Sequence, residues 1–187
     1  LIYACNLSEL LGNNVWIKYE GLNPTGSFKD RGMTMAISKA AEDGAKAVIC
    51  ASTGNTSASA AAYAVKAGMR PAVLIPKGKI AMGKLAQAVI HDSTILQVNG
   101  NFDDCQQLVK QAFTDEELNK QLFLTSANSI NVARWLPQQF YYFFAYKALK
   151  NKSEKLYFSV PSGNFGNICS GMLAKKMGLP ILPGGHR

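Results

Sequence analysis

The segment NPTGSFKDRG, residues 23–32, places one lysine directly behind a turn rich in proline and glycine and at the start of a helical pattern. A lysine is a nucleophile only when its amine is neutral, and its ordinary pKa of about 10.4 keeps it protonated at pH 7. The partial positive charge of a helix N-terminus and the neighbouring Arg31 both oppose a charge on Lys29. Lys29 is therefore a candidate nucleophile. The alternative is an ordinary solvated helix start with Ser27 as its N-cap.

Two later segments have the composition of anion-binding turns. ASTGNTSASAAAYA, residues 51–64, follows an apolar run that ends at Cys50, and PSGNFGNICSG, residues 161–171, follows a run that ends at Val160. A strand, a Gly/Asn/Ser turn and a helix in succession point backbone N–H groups and a helix dipole at one spot. A nucleophilic lysine combined with two such turns suggests a phosphorylated aldehyde cofactor and an anionic substrate. Pyridoxal phosphate fits that description.

Strand-like and helical patterns alternate along most of the chain. The strand-like runs are 47–50, 72–75, 94–98, 122–124 and 156–160, and the helical patterns between them are 56–67, 81–91, 103–114 and 133–149. This alternation predicts an α/β fold with a parallel sheet and ligands at the carboxyl ends of the strands. Gly68 is expected to end the helix 56–67. The dense aromatic residues of 133–149 are expected to lie in a core or a subunit interface.

Charge and cysteine usage narrow the function classes. The formal charge is +8, but the lysines are dispersed, which favours small anionic molecules over nucleic acid as partners. The four cysteines lie far apart without zinc-binding spacing, so we expect buried free thiols and no metal site. The sequence has neither a membrane-length apolar run nor a signal-peptide pattern, and the cytoplasm is the default expectation.

Four motifs in fixed order carry a family resemblance. NPTGSFKDRGM, STGNTSASAAAYA, NSINVAR and SGNFGN resemble the threonine synthases, which are pyridoxal-phosphate enzymes of the tryptophan synthase β-like fold, also called fold type II. The resemblance runs over residues 15–182. It implies two αβ domains with parallel sheets and the cofactor in the cleft between them. Residues 1–46 would belong to the large domain, 47–127 would form a small mobile domain, and 128–187 would return to the large domain. Threonine synthases are much longer, so the chain is expected to be a fragment.

The resemblance also implies roles for individual residues. Lys29 would form the Schiff base with pyridoxal phosphate and then move protons at Cα and Cβ of the substrate, while Asn55 would hydrogen-bond the cofactor's 3-hydroxyl. The cofactor phosphate would be bound by backbone amides of the phosphate loop: Gly163, Asn164, Phe165, Gly166 and Asn167. Substrate recognition would fall to Ser52, Thr53, Thr56, Asn128, Ser129 and Arg134.

The implied reaction converts O-phosphohomoserine and water to threonine and phosphate, a carbon–oxygen lyase step of threonine biosynthesis. It requires a second anion site beside that of the cofactor, and Asn128, Ser129 and Arg134 would supply it. A serine or threonine dehydratase of the same fold shares Lys29 and the phosphate loop but does not need this cluster. A non-catalytic, truncated remnant is the third alternative. In each case the partner is a small molecule, not nucleic acid or a membrane, and a homodimer is compatible with the sequence.

Overall fold

The computed structural model describes residues 1–78, 82–128, 131–152, 155–163 and 165–186. The strands within these ranges are β1 Ile2–Tyr3, β2 Trp16–Ile17, β3 Ala47–Ala51, β4 Arg70–Pro76, β5 Thr94–Val98, β6 Leu124–Ser126, β7 Leu156–Pro161 and β8 Ile181–His186. The α-helices are α1 Cys5–Leu11, α2 Lys29–Glu42, α3 Asn55–Lys66, α4 Met82–Ile90, α5 Phe102–Thr114, α6 Glu116–Leu122, α7 Val132–Trp135, α8 Gln139–Leu149 and α9 Gly166–Lys176. Two 3₁₀ turns cover Glu20–Leu22 and Leu136–Gln138. No described helix is long and apolar enough to cross a membrane.

The larger sheet has four parallel strands in the order β5-β4-β3-β6. Every residue of β3 is buried, as expected for a central strand of a parallel sheet that is covered on both faces. On one face Val48 and Cys50 pack with residues of α2 and α3, including Met33 and Ala60. On the opposite face Ile49 and Ala51 belong to a core cluster that includes Cys105 and Val109 of α5. The parallel α/β architecture predicted from the alternating pattern is thereby confirmed.

The second sheet pairs β7 with β8 in parallel. Its inner face packs on α8 and α9 in a cluster centred on Tyr142, Ala174, Leu179 and Ile181. Tyr142 is fully buried, and a Cβ added to Gly171 would lie 2.7 Å from its Cζ atom, so glycine lets α9 lie against this aromatic ring. The expectation for the aromatic segment is met at Tyr142, whereas Phe144 on the same helix remains 70% exposed.

Three details of the sequence prediction were wrong. The pattern 133–149 is interrupted at Leu136–Gln138 because Pro137 lacks an N–H group and its ring crowds the preceding turn. The predicted strand 122–124 overlaps the end of helix α6, and the strand begins at Leu124. All four cysteines are free, but Cys5 and Cys169 are exposed, since α1 and α9 place them on outer faces.

The two turns that were predicted to follow strands lie at the carboxyl ends of strands, and Asn128 of the NSINVAR motif also follows one. Gly54 and Asn55 follow β3, Asn128 follows β6, and Ser162 follows β7. Gly68 has φ +74° directly behind α3, which is the left-handed conformation that suits a residue after a helix end. The four-stranded sheet falls within residues 47–127. The division into domains at 46 and 127 stays a prediction.

Candidate active site

The turn before Lys29 is held in shape by its own polar residues. The backbone N–H of Gly26 donates to the carbonyl of Asn23 at 2.8 Å, and the Asn23 side chain donates to the carbonyl of Ser27 at 3.0 Å. Gly26 has φ +74°, a conformation that glycine adopts without strain. The Ser27 hydroxyl accepts from the backbone N–H of Lys29 at 3.2 Å, which satisfies a free donor of the first turn of α2. Lys29 therefore begins the helix, as the sequence predicted.

Lys29 lies in a cavity of about 240 Å³. The lining residues are Phe28, Lys29, Arg134, Trp135, Gln138, Pro161, Ser162, Gly163, Gly166 and Asn167. Burial of the amine, and secondarily the positive charge of Arg134, lower the pKa of Lys29 to about 8. The Phe28 ring centroid, 4.5 Å from Nζ, favours the cation and opposes this shift. A substantial fraction of the amine is therefore neutral near pH 8.

The positive neighbour of Lys29 differs from the one that the sequence suggested. Arg31, two residues along α2, forms a salt bridge with Glu20, with its Nε 2.9 Å from Oε2. The charge that acts on Lys29 is that of Arg134, which comes from α7. Sequence reasoning could not identify it because α7 reaches α2 only through the tertiary packing.

Arg134 is a buried cation whose side chain is only partly satisfied. It is 3% exposed, and its Nη1 donates to the carbonyl of Ala127 at 2.8 Å and to the hydroxyl of Thr56 at 3.2 Å. Its buried Nε has no hydrogen-bond partner among the described residues. An unpaired buried donor on a charged group is costly, so this geometry favours a bound anion or another acceptor at Nε.

The first turn of α3 carries the other predicted residues of the STGNT motif. Asn55 opens the helix with an exposed side chain that makes no hydrogen bond to the described part of the chain. The Ser52 hydroxyl accepts from the N–H of Gly54 at 3.2 Å, and Thr56 is the partner of Arg134. Neither Asn55 nor Ser52 nor Thr53 lines the lysine cavity. Their cofactor and substrate roles stay predictions.

Asn128 joins the ends of two neighbouring strands. Its Oδ1 accepts from the N–H of Ala51 at 3.1 Å, and its Nδ2 donates to the carbonyl of Ala51 at 2.9 Å. Both polar atoms are thus engaged in fixing β6 beside β3, and substrate binding by Asn128 stays a prediction. Ser129 lies outside the described residues. Asn131 caps the N-terminus of α7, because its side chain accepts from the N–H of Ala133 at 3.0 Å.

The phosphate loop approaches the lysine from the end of β7. Gly163, Gly166 and Asn167 line the lysine cavity, and Phe165 adopts φ +57° directly before α9. The side-chain Oδ1 of Asn167 accepts from the Ser162 hydroxyl at 2.5 Å, and the backbone carbonyl of Asn167 accepts from the Tyr142 hydroxyl at 2.7 Å, so the loop is anchored to the core. Asn164 lies outside the described residues. Lys29, Arg134 and the loop, predicted from three separate motifs, share one cavity.

A family model described as "Pyridoxal-phosphate dependent enzyme" matches residues 1–183. The chain belongs to this family. The match confirms the predicted cofactor, pyridoxal phosphate, and the predicted fold class. Threonine synthase of Mycobacterium leprae is 52% identical over 168 residues, which are 90% of this chain and 45% of that protein. The crystal structure of the pyridoxal-phosphate-bound threonine synthase of Brucella melitensis is 37% identical, with a TM-score of 0.67 over 87% of this chain and 37% of that chain.

The serine racemase of Dictyostelium discoideum has a TM-score of 0.77 but only 22% identity, over 98% of this chain and 58% of that one. It therefore shows the shared fold alone. The chain spans about half the length of the curated relatives it matches. This pyridoxal-phosphate family member is similar to threonine synthases, as predicted.

Two acidic residues that sequence reasoning missed organise the turn of residues 23–28 before Lys29, here called the lysine turn. Asp30 is 3% exposed and accepts from the N–H of Thr25 at 2.8 Å. Glu20 accepts from Arg31, Lys18 and Asn23, and the Asn23 bond is 2.9 Å. The only signal for Asp30 in the sequence was its position directly after the lysine.

Glu20 makes the lysine turn sensitive to acid. Its partial burial favours a raised pKa, but hydrogen bonds from Arg31, Lys18 and Asn23 outweigh burial and lower the pKa to about 2. Because the folded pKa lies below the unfolded value of about 4.3, this stabilisation is present above that value and is lost as the pH falls towards 2. Since Arg31 remains half exposed, we expect ionised Glu20 to contribute about 1–2 kcal/mol to the free energy of unfolding.

The measurement is the free energy of urea unfolding between pH 7 and 2.5 for the wild type and Glu20→Gln. The variant should be less stable at pH 7, and the difference should shrink below pH 4. Glu42→Gln, on the exposed end of α2, is the control and should follow the wild type. A constant difference at every pH would contradict the expectation.

Proposed function

We propose that this protein is a threonine synthase that converts O-phosphohomoserine and water to threonine and phosphate with pyridoxal phosphate. The observation that carries the proposal is Arg134, a buried cation that lines the same cavity as Lys29 and whose Nε has no hydrogen-bond partner among the described residues. A reaction that releases phosphate needs such a second anion site beside the cofactor. The resemblance to threonine synthases covers the half of those proteins that this chain matches, and the proposal extends it to the whole activity.

The residues present fit the cofactor. A Cβ added to Gly163 would meet no atom within 4 Å, so the loop has open space beside its backbone where a phosphate group can approach. Lys29 lies in the same cavity with a pKa of about 8, and would hold the cofactor covalently. Asn55, at the carboxyl end of β3, would hold the ring hydroxyl.

The bound cofactor supplies an electron sink for charge that develops at the substrate's Cα. Lys29 would accept the Cα proton, since its amine is neutral in a substantial fraction of molecules near pH 8. Arg134 would bind the substrate phosphate at Nε and orient its Cγ–O bond for cleavage. It would also favour the neutral form of Lys29 through its charge. The carbonyl of Ala127 and the hydroxyl of Thr56 fix the guanidinium for this role.

A dehydratase of the same fold does not need a phosphate-binding cation, so the unpaired Nε of the buried Arg134 favours the synthase. A non-catalytic remnant has no need for a lysine whose pKa lies near 8. A cytoplasmic location and a homodimer remain part of the proposal.

The test is turnover of O-phosphohomoserine by the cofactor-loaded protein. Arg134→Lys keeps the charge near Lys29 but loses the Nε donor, and we expect kcat/KM to fall about tenfold, with the cofactor Kd changed by less than about twofold. Arg134→Leu also loses the charge, and we expect it to lower kcat/KM about a hundredfold or more and to raise the pKa of Lys29.

Arg70→Leu is the matched control, because this arginine is exposed at the start of β4, and it should leave kcat/KM unchanged. If O-phosphohomoserine is never turned over while serine or threonine is deaminated, and Arg134→Lys is silent, then the dehydratase alternative is correct.

A further inference from the structure

The carboxylate of Asp30 connects the turn before Lys29 to helix α3, which is 29 residues away in sequence. Its Oδ2 accepts from the N–H of Thr25, and its Oδ1 accepts from the Thr25 hydroxyl at 2.5 Å and from the Ser59 hydroxyl at 2.6 Å. Thr25 belongs to the lysine turn, Asp30 follows Lys29 on α2, and Ser59 lies on α3. All three donors are neutral groups. Because both carboxylate oxygens accept from them, the carboxylate is held by hydrogen bonds on both of its oxygens.

Ser59 is fully buried and lies one helical turn after Asn55. Residues four apart on an α-helix share a face, so a bond that fixes Ser59 also fixes the position and rotation of the helical turn that carries Asn55. The next residue, Thr56, is tied to Arg134 of α7. The first turns of α3 are therefore attached to the helix that begins with Lys29 and to the helix that carries Arg134.

The alanine-rich composition of α3 explains why polar bonds are needed here. Five of its twelve residues are alanines, which permit close packing but provide little side-chain volume to lock the helix against sliding. The directional hydrogen bonds of Ser59 and Thr56 fix the position of α3 along its axis. The bond to Ser59 is a direct side-chain hydrogen bond between α3 and the helix that begins with the lysine.

We propose that Asp30 is a positioning residue that sets Asn55 relative to Lys29 through Ser59 and thereby determines how tightly the cofactor is held. The inference rests on the proposed cofactor site. It predicts that loss of the Asp30–Ser59 bond weakens cofactor binding through Asn55 and not through a general loss of stability.

The main variant is Ser59→Ala, which removes this bond and leaves the contacts between Asp30 and Thr25 intact. Asp30→Asn is less suitable, because it would turn an amide donor towards other donors and can prevent folding. We expect the Kd for pyridoxal phosphate to rise about five- to tenfold, and the absorption maximum of the bound cofactor to move in the same direction as in Asn55→Ala.

A double-mutant cycle separates positioning from stability. In the Asn55→Ala background, adding Ser59→Ala should change the cofactor Kd by less than about twofold, while the fall in Tm caused by Ser59→Ala persists. Ser8→Ala is the matched control, since Ser8 is also buried and its hydroxyl holds one backbone N–H, that of Val15, at 2.9 Å. It should lower Tm without changing the cofactor Kd.

Borohydride reduction of the loaded wild type, followed by peptide mapping, distinguishes the possible failures. A label on Lys29 supports the cofactor site; if no label appears there, the proposed function and this inference both fail. If Lys29 is labelled but Ser59→Ala leaves the cofactor Kd unchanged, or weakens it equally with and without Asn55, then only the positioning role of Asp30 is wrong.

Discussion

Replacing Gly32 with alanine is expected to destabilise the protein by at least about 3 kcal/mol, although alanine is the better helix former by about 1 kcal/mol. Gly32 lies in the first turn of α2, and an added Cβ would be 1.6 Å from the carbonyl oxygen of Arg134. A normal contact between carbon and oxygen is roughly 3.3 Å, so α2 and α7 must separate by well over 1 Å. The clashing atom belongs to the backbone, so no change of side-chain rotamer can relieve the clash.

Thermal unfolding without added cofactor measures this effect, and we expect Tm to fall by roughly 6–12 °C. The cofactor Kd should rise as well, because the same displacement moves Lys29 away from Arg134 in the shared cavity. Gly166→Ala is the control for stability alone, since this glycine also belongs to the phosphate loop: it begins α9, and the nearest atom to an added Cβ is the Cβ of Trp135 at 4.0 Å. A Gly32→Ala variant as stable as the wild type would show that the two helices do not pack in this way.

Replacing Gly163 with valine is expected to weaken pyridoxal phosphate binding by at least about a hundredfold, because several charge-assisted bonds to the phosphate are lost together. The space that the new side chain would occupy is open in the protein alone, since no atom lies within 4 Å of an added Cβ. Stability without cofactor should therefore change by less than about 1 kcal/mol. Loss of binding without loss of stability indicates a ligand-binding loop.

Gly68→Ala provides the opposite control. Gly68 has φ +74° behind α3, where alanine is strained, so this variant should lose about 1 kcal/mol of stability with the cofactor Kd unchanged. Titration with pyridoxal phosphate gives the cofactor Kd of each variant, and urea unfolding gives the free energy of unfolding of each. If the two variants lose cofactor affinity equally, then the loop from Ser162 to Asn167 is only a structural turn.

Local sequence was sufficient for the features that depend on neighbouring residues. A proline and glycine turn followed by a helical pattern placed Lys29 at the start of α2, because turn geometry and helix capping are decided within a few residues. The strand-like run at Thr94–Val98 was predicted with its observed ends. The pattern 133–149 failed where one residue, Pro137, outweighed the surrounding apolar periodicity.

Only the tertiary structure decided what surrounds the lysine. The charge that acts on Lys29 is that of Arg134 and not of Arg31, because Glu20 pairs with the nearer arginine. Asn128, which the motif marked for substrate, has both polar atoms on Ala51, a residue 77 positions away.

The sequence by itself determined the parallel α/β fold, the lysine turn and the cofactor, because hydrophobic period and turn residues are local properties of the chain and the order of the motifs is read directly from the sequence. The tertiary structure decided that Asp30 holds Ser59, and that Gly32 admits the Arg134 carbonyl. These contacts depend on how α2, α3 and α7 pack on one another. Packing is set by the combined shape of many side chains and is not encoded in any single segment.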